Sequence, residues 1–102
     1  MEMGPRSALQ LSTTSVIAQS SGLLEAAIDE DTVLLSIERG TCYSLNRIGS
    51  RIWGMLASPA RIADVCATLV AEYRIDRDTC ERQVIDLLEE LQAEGLIAKT
   101  RE

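Results

Sequence analysis

The sequence predicts an α+β fold, a three-stranded antiparallel sheet followed by three helices. Apolar residues alternate with a period of two as far as Leu45 and recur with a period near 3.6 beyond it, which segregates strands from helices instead of interleaving them. Turn signals at Ser20-Ser21-Gly22, Asp29-Glu30-Asp31 and Arg39-Gly40 divide the first half into short segments rich in β-branched residues.

Residues 1–14 mix Gly, Pro, Ser and Thr with few periodic apolar positions and read as an N-terminal tail. The domain is expected over residues 15–98, with a short C-terminal tail at 99–102. The clearest strand is 32–38, where Val33, Leu35 and Ile37 share one face and Leu34, Ser36 and Glu38 the other. The first of these faces is expected to point inward. A two-residue loop, Arg39-Gly40, then leads into a last strand, Thr41 to Leu45, with Gly40 supplying the positive φ of a tight turn.

Asn46 is the expected N-cap of the first helix, whose apolar stripe is Ile48, Ile52, Trp53 and Leu56. Ser58-Pro59 signals the second, carrying Ile62, Val65, Cys66, Leu69, Val70 and Tyr73 and ending near Tyr73. Asp78 and Glu81, in capping-box spacing, open the third; Cys80, Val84, Leu87, Leu88 and Leu91 lie on one face, and Gly95 stops it.

At 102 residues the chain fits one domain. With no Phe, one Trp and two Tyr, the core must be aliphatic. A net charge of −6 leaves no electrostatic drive towards phosphate backbones or anionic lipid. The absence of His removes the usual general base and the commonest metal ligand, so no catalytic residue, metal or cofactor is expected. Ser36, Thr41, Cys42 and Ser44 are possible nucleophiles, but only Lys99 or a carboxylate could activate them. The acidic triplet at 29–31 reads as a solvated hairpin tip, since a metal loop needs ligands at several defined offsets. Cys42, Cys66 and Cys80 lack close pairing and read as buried thiols of a cytoplasmic protein. No signal peptide or membrane span is expected.

Strands followed by three helices could form a DNA-binding winged helix, yet the third helix sets Asp76, Asp78, Glu81, Asp86, Glu89, Glu90 and Glu94 against Arg77 and Arg82. Such a helix is costly to insert into a groove. The remaining feature is the strand Thr41 to Leu45, expected at a sheet border with one row of amides and carbonyls free. An edge of that kind accepts an extended peptide as a further strand, or pairs with a second copy as a dimerisation module.

The run Val33-Leu34-Leu35-Ser36-Ile37, then Gly40, Tyr43, Leu45-Asn46, Gly49, Ile52 and Trp53, resembles the PqqD-like family in order and spacing. Val84, Leu87-Leu88, Leu91 and Gly95-Leu96-Ile97 agree with its last helix, so the resemblance spans about residues 16–97. These are peptide chaperones of pyrroloquinoline quinone and other peptide-modification pathways, lasso-peptide biosynthesis among them. The resemblance implies a winged-helix-like, non-enzymatic domain that binds the leader of a ribosomally made precursor peptide between its third strand and third helix. Carried over by position, Thr41, Cys42, Tyr43, Ser44 and Leu45 supply the strand, and Val84, Leu87, Leu88 and Leu91 the apolar wall. The implied partners are the precursor peptide and a leader peptidase, cyclase or radical-SAM enzyme, the domain itself being a monomer or weak homodimer. One departure is Ala60-Arg61-Ile62-Ala63-Asp64, where the family often has Thr followed by acidic residues; Ser58 is expected to cap that helix.

Overall fold

In the computed structural model, which describes residues 11–100, the elements run β1 (Val16–Gln19), β2 (Leu23–Ile28), β3 (Asp31–Ser36), β4 (Thr41–Leu45), α1 (Arg47–Met55), β5 (Ala60–Arg61), α2 (Ile62–Tyr73), α3 (Arg77–Ala93) and β6 (Ile97–Thr100). The class is the expected α+β, with the antiparallel sheet β2-β3-β4 and three helices; its likeness to a winged helix is loose. A second small sheet, β5-β1-β6, brings the two ends of the domain together.

The β2-β3 hairpin turns on Asp29 and Glu30, since Ile28 lies opposite Asp31. Asp29 takes a φ of 59°, a left-handed conformation that a short polar side chain tolerates. β3 stops at Ser36, two residues earlier than expected, and 37–40 forms a four-residue turn in place of the two-residue Arg39-Gly40 loop. The Gly40 amide donates to the Ser36 carbonyl at 2.8 Å, and Gly40 carries a φ of 67°.

The buried face of β3 is the reverse of the expected one. Thr32, Leu34 and Ser36 point into the core, whereas Leu35 and Ile37 are exposed. Both faces of this segment carry aliphatic residues, so a period of two defines them without saying which is covered. The neighbours decide. Leu34 lies between Glu25 and Tyr43, Thr32 lies opposite Leu45, and Trp53 reaches this face with its indole N–H donating to Glu25 Oε1 at 2.9 Å. The buried Ser36 hydroxyl is engaged, accepting from the Arg39 amide at 3.2 Å.

Asn46 caps α1 as expected: its Oδ1 accepts from the Gly49 amide at 2.8 Å. Ser58 does not cap α2. Ala60 and Arg61 are drawn into a ladder with Ile17 and Val16, so the helix begins only at Ile62 and no side chain caps it. Its first amides are satisfied from the N-terminal segment, Ile62 donating to the Ser15 carbonyl at 3.0 Å and Ala63 to that of Thr13 at 2.9 Å. Leu11 is buried, and its amide donates to Glu89 Oε2 at 3.0 Å. Residues 11–14 therefore pack as part of the domain, and Lys99 and Thr100 pair with Ile17 and Val16 in β6. The rest of both expected tails, 1–10 and 101–102, lies outside the described residues.

α2 ends at Tyr73 as expected, with Arg74 left-handed at a φ of 56°. α3 is capped by Asp76 and not by Asp78; Asp76 Oδ2 accepts from the Thr79 amide at 3.0 Å. Asp78 sits in the first turn, where its charge complements the helix dipole. At the other end Gly95, with a φ of 76°, lets the Leu96 amide reach the Leu91 carbonyl at 2.9 Å and its own amide reach Gln92 at 3.0 Å, a paired closure that needs a left-handed residue at this position. Ile17, Leu34, Leu56, Ile62, Leu69, Leu88, Leu91 and Leu96 are fully buried between the sheets and helices, each contributing about 1.5–3 kcal/mol.

Candidate functional site

β4 is an edge strand: β3 pairs with one side of it, and among the described residues no strand pairs with the other. Antiparallel alternation decides which of its backbone groups are free. The two-residue turn closes on the pair Ile28 and Asp31, which exchange both hydrogen bonds. Asp31, Val33 and Leu35 therefore direct their amides and carbonyls towards β2. Thr32, Leu34 and Ser36 direct theirs towards β4, where they meet Leu45, Tyr43 and Thr41. Cys42 and Ser44, both exposed, are left with amide and carbonyl turned away from the sheet.

Beside this edge lies a cavity of about 400 Å³. Tyr43, Ser44 and Leu45 form its strand wall, and the start of α1 supplies Asn46, Ile48, Gly49 and Ile52. Cys80, Gln83, Val84 and Leu87 of α3 face them, with Leu69 and Ile75 also in the lining. The chemistry is that of an apolar slot bordered by an unpaired strand.

Of the residues the sequence points to, Tyr43, Ser44, Leu45, Val84 and Leu87 come together around this cavity. Thr41 and Cys42 continue the edge beyond it. Leu88 and Leu91 are fully buried in the core and lie outside the lining. The sequence does not single out Ile48, Ile52, Leu69 or Ile75 for the site. A signal for one exists: Ile48, on an otherwise buried stripe, remains exposed next to the edge strand.

Tyr43 ties the strand to α3, its hydroxyl donating to Glu90 Oε1 at 2.5 Å. Burial and then the neighbouring Glu90 carboxylate push this phenol up to about 12. Nearby, Arg39 donates from Nη1 to the Ala93 carbonyl at 3.3 Å, at the end of the same helix. Glu90 of α3 thus stands beside Tyr43, a residue of the strand wall of the cavity.

Among the described residues no candidate nucleophile is assembled with a base. The Ser36 hydroxyl is buried and engaged by Arg39, Thr41, Cys42 and Ser44 stand in the open, and Lys99 belongs to the other sheet. Asp29 and Glu30 form a hairpin turn and Asp31 opens β3. Among the described residues no group of three or more His, Cys, Asp or Glu side chains is placed to hold a metal. Of the three thiols expected to be buried, Cys66 and Cys80 are buried and free, but Cys42 is exposed, because it lies opposite Leu35 on the outward face of the sheet; burial, reinforced by the adjacent Cys80, pushes the Cys66 thiol up to about 12. No helix among the described residues is long and apolar enough to cross a membrane.

Comparison with known proteins bears on this geometry. Among curated proteins none matches the sequence. One solved structure, described as TbiB1 in complex with the TbiA(beta) leader peptide, is 34% identical, with a TM-score of 0.76 over 83% of this chain and 99% of that one. Another, described as lasso peptide synthetase B1 complexed with the leader peptide, is 27% identical, with a TM-score of 0.72 over 80% of this chain and 96% of that one. The family described as Coenzyme PQQ synthesis protein D (PqqD) matches residues 31–97, from the start of β3 through α3. With that match taking in the edge strand, the cavity and the helix facing it, the chain belongs to the PqqD family.

Proposed function

We propose that this domain captures the leader segment of a ribosomally synthesised precursor peptide as an additional strand on β4 and presents the attached core to a processing enzyme, without doing chemistry itself. The observation that carries the reading is an unpaired strand edge at Cys42 and Ser44 beside a 400 Å³ apolar cavity. Backbone pairing gives such a site affinity for any extended peptide, and the cavity gives selectivity by accepting an apolar side chain of the guest. The two similar structures, each described as a leader-peptide complex, support it. Tethering the precursor in this way raises its concentration at the enzyme.

The partner is a lasso-type leader peptidase, with the cyclase acting together with it or afterwards, in preference to a radical-SAM enzyme. Support comes from the lasso-peptide description of one similar structure. The net charge of −6 and the acidic α3 speak against nucleic acid.

The test is a titration of a fluorescent leader peptide, taken from the precursor gene beside this one, with a scrambled peptide and duplex DNA as controls. Saturable binding of the leader alone, at micromolar concentration or below, is expected. Equal binding of the scrambled peptide, or none of the leader by the folded protein, overturns the reading.

A further inference from the structure

The face of the β2-β3-β4 sheet turned away from the helices is apolar, and among the described residues nothing covers it. Register sets Leu24 opposite Leu35 and Ala26 opposite Val33, and Ile28 shares their side. Leu24 is 55% exposed, Ile28 58%, Leu35 38%, and Ile37 in the following turn 64%. Apart from Ile48 at the groove, these are all the large exposed hydrophobic side chains among the described residues. Concentrated apolar patches of this kind mark interaction sites on soluble proteins.

We propose that this face docks the enzyme that acts on the carried peptide, through an apolar surface flanked by basic side chains. The proposal rests on the leader-binding reading, and two features choose the occupant. The first is continuity. A guest strand on β4 extends the same sheet, so its outward side chains stand beside Cys42 and Ser44, the next column after Leu35 and Val33. A protein covering the face touches domain and guest together and so favours the loaded state over the empty one.

The second is charge. Asp29 and Asp31 border one end of the patch and Glu38 the other, while Glu30 is occupied by Arg47 at 3.3 Å. A second copy carries the same acidic borders and the same net charge of −6, which opposes face-to-face self-association. A basic rim on the partner is drawn to these borders.

The experiment uses the full chain, the leader peptide and the purified leader peptidase encoded beside the precursor. Leu24→Ser combined with Leu35→Thr is expected to leave leader affinity unchanged and to weaken peptidase binding to the loaded domain at least tenfold, measured by calorimetry. Should that pair unfold the sheet, Ile37→Glu, in a turn outside the ladder, carries the same expectation. Asp31→Lys is expected to weaken the peptidase complex at low salt. Undiminished peptidase binding by the face variants overturns the proposal, as does a wild-type domain that binds no peptidase. A wild-type dimer in sedimentation that the same substitutions dissociate also overturns it, by making a second copy the occupant. Failure of leader capture is read separately, in the leader titration, where these residues take no part.

Discussion

Replacing Ser44 by Pro isolates the edge from the rest of the fold. In the Val33 and Ser44 pair neither residue uses its amide in the β3 ladder, so proline removes no bond from the free protein. Tyr43, which then precedes proline, is already extended, the conformation proline demands of its neighbour. In the complex the loss is one amide to the guest. A net backbone bond is worth about 1 kcal/mol, and the guest carbonyl left without a donor costs about 1–3 kcal/mol more. A combined loss of about 2–4 kcal/mol corresponds to binding weakened about 30- to 800-fold. Fluorescence anisotropy with labelled leader measures it, and thermal melts by circular dichroism check the fold. Tyr43→Pro is the control: its amide serves β3, so this substitution is expected to damage the sheet itself. Wild-type leader affinity in a folded Ser44→Pro variant refutes the assignment of the outward groups.

Adjacent leucines on α3 should part company. Leu87→Ala, at the cavity wall, is expected to weaken leader binding with a modest effect on melting, whereas Leu88→Ala, fully buried, should cost about 2–5 kcal/mol of stability. Hydrogen bonds from the Thr79 backbone and hydroxyl hold the Asp76 carboxyl below its usual 3.8. Its depressed folded value contributes stability above the unfolded value that is lost as pH falls through the folded one, so the melting difference between wild type and Asp76→Asn should shrink from pH 7 to pH 3. For Tyr43 the sign is opposite. The unfolded chain releases the phenol proton first, near 10, so stability contributed by the neutral phenol declines as pH rises from 10 towards 12. Tyr43→Phe should remove that decline and, in ultraviolet difference spectra, the late-titrating tyrosine.

Local chemistry made much of the fold legible. Asn46 had a free first-turn amide to accept from, Gly95 could adopt the left-handed closure of α3, and the change of period at Leu45 separated sheet from helices. The candidate edge was legible because a short strand running straight into a capped helix leaves little room for a partner strand beyond it. What stayed hidden depended on distant contacts. β5 is two residues long and exists only because Val16 and Ile17 lie beside it, so Ser58-Pro59 looked like a helix start. Leu11 and Thr100 look like tail in the sequence because the residues that hold them, Glu89 and Val16, are distant along the chain. The inward face of β3 was misjudged because the richer aliphatic row, with Leu35 and Ile37, lies outside. Ile75 entered the cavity lining from a helix-helix connection, where no periodicity marks it.

Residue-resolved amide hydrogen exchange, in the free domain and with leader bound, tests the central claim most directly. Strand capture on β4 predicts fast exchange at Cys42 and Ser44 in the free protein, strong protection of both on loading, and little change at Tyr43 and Leu45, already paired with β3. Leader binding without new protection at Cys42 and Ser44 would contradict it.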